Sequence, residues 1–219
     1  MIPYHKIQTI FFDYDGTLHD SMQLYGPAFR KAYDVLVKEG AAEDRTWSDQ
    51  EIGYWLGYNP KDMWQSFMPD LADNIRQQCS NIIGEEMISL MNQGKAKLYK
   101  GALEMLDYLQ RLGLHLIFIS NCKVYYKECH NRLFQLDHYF EEMVCSAEYQ
   151  FIPKHEILGQ VMKQYPKEMV IIGDRKHDME AGKLNHIYTI GCSYGFGQKG
   201  ELDNADLIIK DIKELYQYF

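Results

Sequence analysis

The chain has 219 residues and a net charge of -8, with 46% hydrophobic and 25% charged residues. That is enough for one substantial globular core, or a core with a smaller insert. The negative charge argues against nucleic acid polymers and anionic membranes as partners, and neither a run of about 18 apolar residues nor a signal-peptide pattern is present. Cys79, Cys122, Cys129, Cys145 and Cys192 show no Cys-x-x-Cys spacing, which predicts reduced thiols in a cytoplasmic protein and no structural zinc.

In chain order, Ile7 to Phe12 is a short run rich in β-branched and aromatic residues, the pattern of a strand buried on both faces. It stops at Asp13 and Asp15, followed by Gly16 and Thr17. Two carboxylates at a strand exit crowd negative charge unless a cation or a proton shares the site. An acidic turn is the plain alternative, since Asp-Gly is a common turn dipeptide. An EF-hand loop is excluded, because a strand rather than a helix leads into it.

For roughly seventy residues the pattern is then helical. Leu24, Ala28, Ala32 and Leu36 recur at four-residue spacing between Met22 and Glu39, with Gly40 as a stop. Ser48-Asp49-Gln50-Glu51 reads as a capping box opening a helix through Leu56. Further helices are expected near Pro60 and from Leu71 to Met91. Tyr25, Tyr54, Trp55, Tyr58, Trp64 and Phe67 make this block aromatic-rich. Such rings either stack on a ligand or form the block's own small core, and the second is the commoner use.

From about Leu98 helices and strands alternate. Helices are expected over 102–112, 124–134, 153–165 and 178–184, with one more at the C-terminus; strands are expected over 114–119, 143–145, 169–172, 188–191 and 207–209. Alternation of this kind predicts a Rossmann-like α/β core, a parallel sheet with helices on both faces. Ligands of such sheets bind beyond the carboxyl ends of the strands. The polar residues at those ends are therefore the site candidates: Asp13 and Asp15, Ser120 and Asn121, Asp174 and Asp178, with Lys154 at a helix start.

Singly, each has a bland explanation: Ser120-Asn121 as a cap, Lys154 as a solvated helix start, Asp174 and Asp178 as helix N-terminal carboxylates. Together, Asp-x-Asp-Gly-Thr, Ser-Asn, Lys and Gly-Asp-x-x-x-Asp in this order resemble the haloacid dehalogenase superfamily, and its phosphatase branch similar to the phosphoglycolate phosphatases in particular. The resemblance implies a catalytic core over 1–17 and 95–219, with a small helical cap over 18–94 that closes over the site and selects substrate.

Phosphoryl transfer needs an in-line nucleophile, cations for the equatorial oxygens and a proton for the leaving group. On the family pattern Asp13 is the nucleophile, forming an aspartyl-phosphate, and Asp15 is the acid and base. Mg2+ is held by Asp13, the main-chain carbonyl of Asp15, and Asp174, with Asp178 orienting from behind. Ser120, Asn121, Lys154 and Thr17 bind phosphate. His19 and Asp20, just past the first motif, are candidates for touching substrate. Arg175, Lys176 and His177 read as a solvated helix-start loop, and Cys122 as a bystander.

Single residues sort the family's branches. Dehalogenases and phosphonate-cleaving members lack the second aspartate, and mutases usually place valine where this chain has Thr17. The expectation is a Mg2+-dependent hydrolase of a small phosphorylated metabolite, working as a monomer or homodimer. A sugar-phosphate mutase or phosphotransferase is the alternative within enzymes, and a non-catalytic metal- and partner-binding member the alternative outside them.

Overall fold

The structure is a computed structural model and describes residues 2–219. Its strands are β1 (Thr9–Phe12), β2 (His115–Ser120), β3 (Glu142–Cys145), β4 (Met169–Gly173), β5 (Tyr188–Cys192) and β6 (Leu207–Ile209). They form one sheet in the order β3-β2-β1-β4-β5-β6, parallel throughout. Every residue of β1 and β4 is buried, as the uninterrupted apolar runs require of central parallel strands. Helices α1 (Met22–Lys38), α2 (Asp49–Gly53), α3 (Pro60–Phe67) and α4 (Asp73–Asn92) come after β1; α5 (Ala102–Arg111), α6 (Val124–Phe134), α7 (Lys154–Val161) and α8 (Lys176–Leu184) alternate with the later strands. This is the expected Rossmann-like α/β architecture.

The chain divides into two compact units. One runs to His19 and resumes with Leu98–Phe219, and the other is Asp20–Lys97. Leu18 and His19 belong with the sheet because the loop after β1 folds back on itself. The His19 amide donates to the Tyr14 carbonyl at 2.9 Å, and the Gly16 amide to the His19 carbonyl at 2.9 Å.

In the sheet-bearing unit, alternate side chains serve opposite layers. Phe11, Ile117, Ile119 and Ile171 pack with Ile157, Leu158 and Val161 of α7 and Ala181 of α8 on one face. On the other, Phe12 and Phe118 meet the Phe140 ring at 6.2 and 5.8 Å between centroids.

Four element expectations change, the first being α2, which ends at Gly53 rather than running through Leu56. The 153–165 helix is shorter: α7 ends at Val161, a 3₁₀ turn follows over Met162–Gln164, and Tyr165 is extended (φ -110°, ψ 153°), because Pro166 disfavours helical backbone in the residue before it. α8 starts two residues early, at Lys176, with the Asp178 carboxylate accepting the Arg175 amide at 3.0 Å. The C-terminal segment Ile212–Gln217 is a 3₁₀ turn, its tightness set by the Asp211 carboxylate accepting the Lys213 amide at 2.8 Å.

In the helical unit α1 packs against α4. The Ser48 and Glu51 capping box forms as expected, and Asn59 caps α3 with Pro60 in the first turn. The aromatic residues do make a core. Phe29 lies parallel to Trp55 at 5.5 Å, with Trp47 at 5.5 Å and Phe67 at 5.3 Å. Tyr54 is the exception at 41% exposed, stacked on Tyr58 at 6.2 Å.

The fit of α8 against the sheet depends on Gly182. A Cβ there would lie 2.2 Å from Thr189 Cγ2 and 2.8 Å from Ile171 Cγ2. Gly182→Ala is expected to lower the unfolding free energy by about 1–3 kcal/mol, the usual cost of overpacking. Urea unfolding with an unchanged midpoint would show that this packing is looser than described.

Candidate active site

The register of the sheet assembles the site. Phe12 pairs with Ile172 and the Asp13 amide donates to the Ile172 carbonyl at 2.9 Å, so Asp13 and Asp174 leave the sheet side by side at the topological switch point. Asp178 comes from the first turn of α8 and Lys154 from the first residue of α7. The Lys154 ammonium donates to Asp13 Oδ1 and to Asp178 Oδ1, both at 2.6 Å, with all three side chains buried. Carboxylate oxygens of Asp13, Asp174 and Asp178 lie within 4.8 Å of one another.

Burial and the neighbouring Asp178 push the Asp13 carboxyl up to about 7, even with Lys154 in contact. Burial, Asp13 and Asp178 hold Asp174 well above the usual carboxylate range. Burial alone would lower the Lys154 ammonium, but Asp13 and Asp178 raise it. Among these groups three carboxylates face one ammonium.

Both Asp178 oxygens are engaged, Oδ1 by Lys154 and Oδ2 by the Arg175 amide, which suits an orienting role. Asp174 Oδ2 accepts the Phe196 amide at 2.6 Å, while its Oδ1 is buried without a hydrogen-bond partner. An orphaned carboxylate oxygen amid excess negative charge is chemically incomplete. The donor set is all hard oxygen and fits a hard divalent cation.

Asp174 is wrapped by glycines that sequence reasoning did not connect to it. A Cβ on Gly16, where φ is +84°, would lie 2.1 Å from Asp174 Oδ2; one on Gly195 would lie 2.4 Å from the same atom, and one on Gly197 2.4 Å from the Asp174 carbonyl. The loop after β5 is further tied down where the Tyr194 hydroxyl donates to the Thr17 carbonyl at 2.8 Å. Thr17 itself is fully buried, and its hydroxyl has no partner. Ser120 closes β2, beside the loop that carries Asp15, and is buried; Asn121 is half-buried.

Asp15 faces a second cluster. Its Oδ1 accepts the Tyr126 hydroxyl at 2.8 Å and lies 3.1 Å from His19 Nδ1. Burial raises its carboxyl, but the His19 contact and nearby groups hold it below the usual range. The Tyr14 hydroxyl meets His130 Nδ1 at 2.7 Å. Burial and His19 press His130 down to about 3, so it shares that hydrogen bond as a neutral ring.

Two expectations are corrected here. His19 does not present itself to substrate: it is 0% exposed, parallel to Tyr14 at 5.2 Å, with its ring edge on His130 at 4.5 Å. The i to i+4 return of the loop turns it inward onto Asp15. Arg175 is not solvated either, being 1% exposed with Nε on Glu201 Oε2 at 2.7 Å. Asp20, in the helical unit, is half-buried and accepts the Gln23 side-chain amide at 3.1 Å. Burial keeps the Cys122 thiol protonated, consistent with a bystander.

A buried carboxylate held by a lysine, beside an aspartate with one oxygen unpartnered at the carboxyl edge of a parallel sheet, is a layout that suits hydrolytic chemistry. Comparison with known proteins agrees: residues 10–192 match the haloacid dehalogenase-like hydrolase family, and the chain belongs to that family. It is similar to the pyrophosphatase PpaX of Bacillus pumilus, 24% identical over 95% of this chain and 94% of that one. It is likewise similar to the phosphoglycolate phosphatase of Synechococcus elongatus, 25% identical over 96% of each. A predicted phosphatase from Clostridium acetobutylicum shares the fold with a TM-score of 0.81, at 21% identity over 97% of both chains.

Two outcomes follow from this geometry. Gly16→Ala should displace the Asp174 carboxylate and weaken Mg2+ binding by roughly 10–100-fold, as loss of support around a metal ligand does; calorimetric titration with Mg2+ alone tests it, and unchanged affinity would mean that Asp174 is not a ligand. In chelator, Lys154→Met should cost about 3–5 kcal/mol, because it leaves buried carboxylates uncompensated. Added Mg2+ should restore part of that loss in urea unfolding.

Proposed function

We propose that the chain is a Mg2+-dependent phosphomonoester hydrolase that works through an aspartyl-phosphate on Asp13. The observation that carries this reading is the buried Lys154 bound to Asp13 at 2.6 Å beside the orphaned Asp174 oxygen, a nucleophile and a cation site side by side. Asp13, Asp174 and the main-chain carbonyl of Asp15 would hold Mg2+, with Asp178 orienting them; when bound it neutralises charge on the phosphoryl oxygens.

The chain's own groups do the rest. Lys154, Ser120 and Asn121 hold the non-bridging oxygens, Lys154 as a point charge and the others as hydrogen-bond donors. Asp13 attacks phosphorus while Asp15 delivers a proton to the departing oxygen. Asp15, now a carboxylate, takes a proton from the water that attacks the phosphoenzyme, and inorganic phosphate leaves with Asp13 restored. Splitting nucleophile from acid-base between two aspartates lets each sit in its own surroundings: Asp13 against Lys154, Asp15 against His19 and Tyr126.

The substrate in this reading is a small phosphorylated metabolite, not a nucleic acid polymer or a membrane component, met in the cytoplasm by a monomer or homodimer. The charge of -8 disfavours polyanionic partners, and no helix among the described residues is long and apolar enough to cross a membrane. The relatives' names put phosphoglycolate and pyrophosphate first among compounds to try.

Phosphate release across a broad panel of phosphorylated metabolites, with Mg2+, is expected to give turnover that Asp13→Asn lowers at least about a thousandfold, the scale seen when a covalent nucleophile is removed. Chelator should stop it and Mg2+ restore it. Near wild-type turnover by a folded Asp13→Asn protein would overturn the covalent route, and turnover in metal-free buffer would overturn the cation site.

A further inference from the structure

The acid-base aspartate is gripped by two side chains that lie 107 residues apart in the sequence. Asp15 Oδ1 receives the Tyr126 hydroxyl at 2.8 Å and the His19 Nδ1 at 3.1 Å, and Tyr126 and His19 also touch each other at 3.2 Å. Neither contact involves Oδ2. A carboxyl oxygen that carries no proton only accepts, so with any proton of Asp15 on Oδ2, His19 Nδ1 carries the hydrogen that points at Oδ1.

The grip is rigid for stated reasons. The His19 main chain is tied by its amide to Tyr14 and by its carbonyl to Gly16, both at 2.9 Å. Its ring is fully buried between Tyr14 and His130. Tyr126 is buried in the first turn of α6, the helix that follows the Ser120-Asn121 turn, with its ring 4.2 Å from that of His130. A carboxylate that must exchange protons is otherwise free to rotate about its side-chain bonds, and orientation of a catalytic group within fractions of an ångström controls rate.

We propose that His19 and Tyr126 are positioning residues for the acid-base half of the reaction. They fix Asp15 by Oδ1 so that Oδ2 alone faces the reacting oxygens. The proposal rests on the phosphatase reading above. In the first step an Asp13 oxygen bonds to phosphorus, the bond from phosphorus to the leaving oxygen breaks, and the proton on Asp15 Oδ2 passes to that oxygen. In the second, water oxygen bonds to phosphorus, its proton passes to Oδ2, and the bond from Asp13 to phosphorus breaks. Oδ1 keeps both hydrogen bonds throughout.

The test uses leaving groups that differ in their need for a proton. Phenyl phosphate expels a basic phenoxide and depends on the acid; 2,4-dinitrophenyl phosphate expels a stable anion and does not. The ratio kcat/KM reports the first irreversible step, phosphoryl transfer to Asp13. Tyr126→Phe removes only the hydroxyl, His19→Leu removes the donor, and His19→Asn keeps an N–H near the position of Nδ1. For Tyr126→Phe and His19→Leu, kcat/KM on phenyl phosphate is expected to fall about tenfold or more, part of the 10²–10⁴ that general acid catalysis supplies, while the value for 2,4-dinitrophenyl phosphate stays within about twofold. His19→Asn should recover much of the loss.

Equal losses on both esters, or no loss on either with Tyr126→Phe, would overturn the positioning role and leave the phosphatase reading standing. Tyr126→Phe keeps the ring and its packing, so it remains decisive if His19→Leu fails to fold. Wild-type protein that releases phosphate from neither ester, or Asp13→Asn that matches it, would overturn the phosphatase reading itself and this role with it.

Discussion

The organising constraint is the packing of Asp13, Asp174 and Asp178 around one buried ammonium. Carboxylates this close repel, and each is costly to bury. The fold tolerates them because Lys154 reaches two, the Arg175 amide takes a further oxygen of Asp178, and the Phe196 amide takes one of Asp174. What remains unmet, the second oxygen of Asp174, is where the charge account stays open for a cation. The sheet's order follows from the same need. Only adjacent parallel strands, β1 and β4 in matched register, deliver two acidic chain exits to one point.

Much of this was legible in the amino-acid order. Doubly buried strands advertise themselves as unbroken apolar runs, and the polar residues that interrupt such runs at their carboxyl ends mark the site by topology alone. Caps are short-range, so Ser48 with Glu51 was visible in local spacing. The less visible features are those decided by tertiary approach. Nothing local links Tyr126 to Asp15, 111 residues away, or Tyr14 to His130, 116 residues away. His19 looked like a loop residue near a boundary, yet its own backbone turns it into the interior. Arg175 lies in a charged stretch that normally means solvent, and Glu201, distant in sequence, folds onto it in the interior. Gly195 and Gly197 read as ordinary loop glycines until Asp174 is found against them.

The helical unit shows a different economy. With no strand of its own, it builds its core from rings, Phe29 at the centre with Trp47, Trp55 and Phe67 around it. Aromatic side chains supply large buried area per residue with few rotatable bonds, which suits a bundle too small for a deep aliphatic core. The rings expected to serve either ligand or core are mostly used for core, and Tyr54 with Tyr58 is the stacked pair left furthest outward.

The glycines around Asp174 have a consequence for how this protein can change over evolutionary time. At Gly16, Gly195 and Gly197 every other amino acid brings a Cβ into space already filled by the aspartate, so no amino-acid replacement at these positions is neutral for its placement. Variation is thereby channelled elsewhere. A lineage can drift freely at exposed helix positions, while this corner admits change only if the aspartate moves too. Laboratory libraries that spare these three codons would waste fewer clones.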